Sequence, residues 1–384
     1  MQFTRLKLKN WRNFTKVDLE IGERLFITGP NASGKSNLLD AFRFLRDIAK
    51  TGGGLQAAVA ARGGLTKLRC LAARRDPDVG IEVELKDGTG ADATVWRYGI
   101  GMKQETRGMR RVLLTHETVW KNGEMVLDRP DSGDKSDDLR LTETHLEQIA
   151  ANRSFRPLAE VFQKILYLHL VPQLLKFPHL ANRDAAGEDP FGIKFLDRMM
   201  ETPEKTRRSR LKKIESALRL AVPELQELCD LRDEKGIPHL EAVYQHWRPN
   251  AGRQREDQFS DGTLRLIGLL WTLLEGDSLL LLEEPELSLH TSIVAKLPEV
   301  IWKMQRARHR QVLVSSHSTE MFSDKGIAAE EVALLKPHGS EGTEVELASA
   351  KASIRLLLEG GMSMAEAVLP MTAPASVSQL TLFD

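Results

Sequence analysis

The sequence predicts an α/β fold organised around a mixed sheet, on three observations. Gly29-Pro-Asn-Ala-Ser-Gly34-Lys35-Ser36 lies between a short apolar strand pattern at 25–28 and a helical pattern at 37–42. Residues 279–282 are four leucines ended by Glu283, Glu284 and Pro285, as in a parallel strand buried on both faces. Residues 80–128 alternate apolar and polar, as in Val79-Gly-Ile81-Glu-Val83-Glu-Leu85, with Asp87-Gly88 and Asn122-Gly123 as hairpin turns.

The first segment is a full G-x-x-x-x-G-K-[ST] pattern in the strand-to-helix context that the motif requires. Its glycines let the backbone curl so that successive N–H groups point at phosphate oxygens, and the following helix adds its positive N-terminal end. The candidate nucleotide-binding residues are Asn31, Ala32, Ser33, Gly34, Lys35, Ser36 and Asn37. Lys35 is expected to reach the β- and γ-phosphates of ATP. The Ser36 hydroxyl is expected on Mg²⁺, which keeps most of its water and takes one or two protein ligands.

The acidic end of the leucine strand supplies the rest. A buried parallel strand delivers its carboxyl end to the ligand crevice of an open α/β sheet. Glu283 is there to hold Mg²⁺, directly or through water, and Glu284 to orient or deprotonate an attacking water.

Taken with three further segments, these residues resemble the ABC-type ATPase heads of the SMC, RecF and OLD-like proteins. Leu6-Lys7-Leu8-Lys9-Asn10-Trp11-Arg12-Asn13-Phe14 resembles their first strand and turn, Phe259-Ser260-Asp261-Gly262-Thr263 their signature, and Ser315-Ser316-His317-Ser318 their switch histidine. The fold class expected is α/β: a P-loop NTPase ABC-type head with a mixed central sheet, a flanking antiparallel β-subdomain and a helical lid insertion. The resemblance implies a homodimer in which Ser260 and Gly262 of one head close on the ATP held by the other. It implies His317 at the γ-phosphate, and for Arg12 either nucleotide contact or a plain surface ion pair. Glu286-Leu287-Ser288-Leu289-His290 resembles a turn across that dimer interface. For the family's Q-loop glutamine, Gln56 is a candidate by order alone. Glu283 in place of the usual Asp, and a signature reading Phe-Ser-Asp-Gly-Thr, weaken an ABC-transporter reading.

Composition sets outer limits. The chain has 384 residues, 41% hydrophobic, and 54 basic against 54 acidic residues, so no global field points to nucleic acid. No apolar stretch suffices to cross a bilayer and the first residues lack a signal-peptide core, so a cytoplasmic protein is expected. Cys70 and Cys229 read as reduced thiols. Local basic runs exist at 205–213 and at Lys303, Arg306, Arg308 and Arg310, as solvated helix faces or as a DNA contact.

The expected organisation is an N-terminal half of the head at 1–130, a mostly helical insertion or lid at 131–255, a C-terminal half at 256–365 and a flexible tail at 366–384. Residues 128–138, rich in Asp, Ser, Gly and Pro, read as a mobile loop. No heptad run is long enough for a coiled-coil arm. The tail carries Gln379, Leu380, Leu382 and Phe383, which resemble the peptide that docks on bacterial sliding clamps. Leu356-Leu-Leu358-Glu359-Gly360 resembles the first acidic motif of a Toprim nuclease, but no Asp-x-Asp follows, and it reads instead as a helix stop. DNA cleavage is therefore expected of a partner effector, a nuclease or toxin, and not of this polypeptide.

Overall fold

The computed structural model of the chain describes residues 1–73, 76–90, 92–105, 109–177, 191–248 and 252–372. The clamp-like residues Gln379, Leu380, Leu382 and Phe383 lie outside them.

The chain opens with β1 (Gln2–Trp11), β2 (Phe14–Glu20), β3 (Arg24–Thr28) and α1 (Lys35–Ala49). Short helices α2 (Leu55–Ala60) and α3 (Leu65–Leu68) lead into a meander of β4 (Val79–Asp87), β5 (Thr94–Gln104), β6 (Val112–Lys121) and β7 (Glu124–Arg129). Six antiparallel strands in the order β2-β1-β4-β5-β6-β7 make the flanking sheet that the alternation predicted.

The second half supplies α4 (Ser132–Ser136), α5 (Arg156–Gln163), β8 (Leu166–Leu168), α6 (Pro172–Lys176), α7 (Phe195–Glu201) and α8 (Glu204–Ala221). A small sheet of β9 (Leu225–Arg232), β10 (Pro238–Tyr244) and β11 (Arg253–Arg255) follows, then α9 (Asp261–Leu274) and β12 (Leu280–Glu283). The chain continues through α10 (Thr291–Val294), α11 (Leu297–Arg308), β13 (Val312–Ser315), α12 (Thr319–Phe322), β14 (Val332–Pro337), β15 (Thr343–Leu347), α13 (Ala352–Glu359) and α14 (Met364–Val368).

The central sheet has the order β15-β14-β3-β13-β12-β8, parallel except for the β14–β15 pair. Its strands are apolar on both faces because each face carries its own core. Leu25, Ile27, Leu281, Leu313 and Ala333 face the core shared with α1 and the antiparallel sheet. Phe26, Leu280, Leu282, Val312 and Val314 face the core built with α8, α9 and α11. The carboxyl ends of β3, β13 and β12 therefore open side by side, and this is where the motifs sit.

Four expectations need correction. The 131–255 stretch is less helical than expected: β8 falls in the apolar run 165–171 that reads as a strand and is an edge strand of the central sheet, and β9, β10 and β11 form the small antiparallel sheet. Residues 128–138 are held in place, because the guanidinium of Arg129 is fully buried between Glu117 and Asp134 while Asp131 caps α4. The tail cannot begin at 366, since α14 buries Ala365, Ala367 and Val368 against the second core. The basic runs are broken up by partners distant in sequence. Arg207 pairs with Asp230 at 2.8 Å, Arg210 lies over the Trp271 ring, and Arg310 is buried beneath the carbonyls that end α9. Lys205, Lys212 and Lys213 remain exposed. Glu359 does end α13, with Gly361 at φ 90°, as the helix-stop reading required.

Candidate active site

Gly34 ends the loop after β3 in a left-handed conformation, φ 103°, as the N-cap of α1. A side chain there would be strained and would collide with Asn13, whose amide donates to Ser33 O at 2.6 Å and to Thr343 Oγ1 at 2.9 Å. Asn37 Nδ2 donates to Asn13 Oδ1 at 3.0 Å, and the Trp11 indole donates to Asn37 O at 2.8 Å. The β1–β2 turn thus clamps the loop from outside. Neither Asn13 nor Trp11 had been assigned a role from sequence; their presence in the opening motif was the available signal.

Lys35 is buried and donates to Gly29 O at 3.0 Å and Pro30 O at 3.3 Å. Burial lowers its pKa, and the nearby charges of Glu284, Glu283 and Glu286 oppose that shift. Ser36, on the first turn of α1, donates to the Glu283 carboxylate in a very short contact across 247 positions of sequence. The expected metal pair is therefore in contact. Among the described residues no three His, Cys, Asp or Glu side chains cluster as a metal cage, in keeping with a hydroxyl-plus-carboxylate site.

Glu284 follows at φ 43°, with its N–H donating to Ser315 O at 3.0 Å. This strained backbone turns its carboxylate towards His317, and Glu284 Oε1 lies 3.5 Å from His317 Nδ1. The turn that carries His317 is pinned by a chain that sequence reasoning missed. Ser318 N–H donates to Ser316 Oγ at 3.1 Å, and Ser316 Oγ donates to Glu286 Oε1 at 2.5 Å. Glu286 is buried, and burial raises its pKa against the pull of that hydrogen bond.

Ser260 is the N-cap of α9, its hydroxyl accepting the Thr263 N–H at 3.1 Å. Asp261 is neutralised by Lys176 at 2.7 Å and bonded by Gln173. A Cβ on Gly262 would lie 2.5 Å from Ser288 O, so the signature turn packs directly on the turn after β12. Arg12, at φ 55°, pairs with Asp40 at 3.1 Å. Burial alone would raise Asp40, but Arg62, Arg43 and Arg12 outweigh it and hold the carboxyl below its usual range. Arg12 thus makes the ion pair through one guanidinium nitrogen, while its Nε is buried without a partner. Gln56 sits on α2 and donates to Val112 O at the start of β6 and to Thr142 O in the short turn after α4. The residue level with Glu283 on the neighbouring strand is His169, whose Nδ1 lies 3.3 Å from Glu283 O.

The donor set fits a metal–nucleotide. Thr28 Oγ1, Ser33 Oγ, Ser315 Oγ and Glu286 Oε2 are buried here without a hydrogen-bond partner. Such orphaned groups are costly unless a ligand or water completes them. The Ser36–Glu283 pair invites a cation, while Lys35 and the N-terminus of α1 invite an anion.

A family model described as "AAA domain, putative AbiEii toxin, Type IV TA system" matches residues 25–323, and one described as the P-loop containing region of AAA domain matches residues 3–45. The RecF DNA replication and repair protein of Magnetococcus marinus is 52% identical over 46 residues, 12% of each chain. Endonuclease GajA of Bacillus cereus is 45% identical over 47 residues, 12% of this chain and 8% of GajA. The matched segments thus span an eighth or less of these relatives. Among solved structures, an SMC head bound to the C-terminal winged-helix domain of ScpA is 14% identical with a TM-score of 0.55, covering 90% of this chain and 98% of that one. An SMC head with an extended coiled coil, bound to the C-terminal domain of ScpA derived from Pyrococcus furiosus, is 14% identical with a TM-score of 0.52, covering 94% and 100%. The structures establish the fold of an SMC head, RecF and GajA share local sequence with the chain, and the model spanning residues 25–323 establishes the family: this chain belongs to the AAA-domain family of that description.

Proposed function

We propose that the chain binds Mg-ATP at residues 29–36 with Glu283, hydrolyses it through Glu284 and His317, and dimerises on ATP to control a partner effector. The effector is a nuclease or toxin of prokaryotic phage defence, acting in the cytoplasm. The observation that carries this reading is the convergence of three distant segments, with Ser36 against Glu283 and Glu284 Oε1 3.5 Å from His317 Nδ1. The family description, which names a toxin of a type IV system, and the partial likeness to an endonuclease support the effector class.

Ser36 and Glu283 would hold Mg²⁺, which when bound offsets the negative charge of the β- and γ-phosphates. Lys35 leaves the carbonyls of Gly29 and Pro30 for phosphate oxygens, and the N–H groups at the start of α1 take further ones. Glu284 accepts the proton of the attacking water. His317, fixed by the Ser316–Glu286 chain, orients Glu284 and the γ-phosphate end. In the dimer, Ser260 and the Gly262 backbone present the N-terminus of α9 to the partner's nucleotide.

Phosphate release and nucleotide binding test this on three proteins. Wild type is expected to hydrolyse ATP, Glu284→Gln to bind without turnover, and Lys35→Ala to lose ATP. A wild type that binds no nucleotide, or a Glu284→Gln protein as fast as wild type, would sink the reading. A second reading, a RecF-type repair ATPase that binds DNA through 205–213 and docks on a sliding clamp, draws support from the local RecF identity. ATP turnover stimulated by DNA alone would favour it.

A further inference from the structure

We propose that Tyr167 is a positioning residue for the metal-side carboxylate: its hydroxyl anchors one oxygen of Glu283 and so presents the other to Ser36 and the cation. This rests on the ATPase reading above. Tyr167 stands on β8, paired in parallel with β12 in the register Leu166–Leu280, Tyr167–Leu281 and Leu168–Leu282. Side chains alternate, so Leu168 packs into the second core while Tyr167 packs against the first, on the face where Leu281 and α1 lie.

Glu283 is two residues beyond Leu281 and therefore shares that face. The diagonal offset is about 6.6 Å at a strand rise of about 3.3 Å per residue, and a tyrosine spans it end to end. The phenol hydroxyl donates to Glu283 Oε2 while Ser36 Oγ donates to Oε1. The two carboxylate oxygens are thus divided between an anchor and the active side.

The ring itself is held. The guanidinium of Arg43, on α1 two turns after Ser36, lies over it at 4.1 Å from the centroid. One face of α1 thus carries both the hydroxyl that meets Glu283 and the cation that fixes the anchor. The physical need comes from the sequence. A glutamate has one more rotatable bond than the aspartate usual at this position, and an unanchored carboxylate would spend its time in rotamers turned away from Ser36. Partners that orient a ligand in this way are commonly worth 10- to 100-fold in metal affinity.

Tyr167→Phe keeps the ring beneath Arg43 and removes only the hydroxyl. Mn²⁺ retention by the complex with ATPγS, followed by electron paramagnetic resonance, is compared for wild type, Tyr167→Phe and Glu283→Gln, with metal-free ATPγS affinity as the control. The expected result is roughly tenfold weaker Mn²⁺ retention in Tyr167→Phe, a larger loss in Glu283→Gln, and unchanged metal-free binding in both. In turnover, Tyr167→Phe should need more Mg²⁺ for half-maximal rate and reach the wild-type kcat when saturated. Wild-type Mn²⁺ retention in Tyr167→Phe beside a loss in Glu283→Gln overturns the proposal alone. No loss in Glu283→Gln overturns the metal-ligand reading and the proposal with it.

Discussion

Two of the regions in which this molecule buries charge treat it in opposite ways. Beside β6 and β7, all five N–H donors of Arg129 are used, on Asp134 twice, Glu117, Glu143 O and Arg140 O. Glu117 in turn accepts from His145 N–H, Leu146 N–H and Tyr98 Oη. At the carboxyl ends of β3, β12 and β13, by contrast, Lys35 rests on loop carbonyls, and Thr28, Ser33, Ser315 and Glu286 have polar atoms without partners. A closed network is complete without a ligand and so serves the fold. An open one leaves donors and acceptors for a ligand or water to complete.

Substitutions separate the two kinds of region. The largest effect is expected at the open end: Glu284→Gln should slow hydrolysis about 10²- to 10⁴-fold, read as phosphate release, with an unchanged unfolding midpoint. Next, Arg129→Ala strands two buried carboxylates and should cost about 3–5 kcal/mol in denaturant unfolding. A loss within experimental error would mean that the closed network is not what holds 128–138.

Much of the open region was legible in sequence because its chemistry sits in contiguous segments: a loop with a lysine, a strand ended by acids, a histidine between serines. The closed region was misread for the matching reason. Asp, Ser, Gly and Pro between 128 and 138 have the composition of a mobile loop, and only the fold brings Glu117 to Arg129. Asn13 and Tyr167 were invisible on similar grounds. Asn13 reaches Thr343, 330 positions away, and Tyr167 meets Glu283 only through the parallel register of β8. The partners of the basic run at 205–213 were equally hidden, because Asp230 and Trp271 lie far along the chain from Arg207 and Arg210.

A smaller effect distinguishes the regions by pH. The hydrogen bonds from Arg129 hold the Asp134 carboxyl at about 2. Its folded pKa is depressed, so the folded state binds fewer protons than the unfolded chain between about 2 and the ordinary value near 4. The stability it adds is complete above that window and is lost as pH falls through it. Asp134→Asn should flatten acid unfolding there, and an unchanged acid limb would contradict the assignment. The smallest effect on stability is expected from Glu286→Gln. It neutralises a buried, half-satisfied acid, so the unfolding midpoint should stay or rise while hydrolysis slows roughly tenfold through the loosened His317 turn. A clear drop in midpoint would place Glu286 among the closed networks.

In the proposed mechanism the open site of one chain is completed by the signature turn of another. Light scattering on the Glu284→Gln protein, with and without Mg-ATP, tests this. Mg-ATP is expected to double the mass, and adding Ser260→Arg to abolish the doubling without loss of ATP binding. A mass that ignores bound ATP, or a doubling that survives Ser260→Arg, would contradict it.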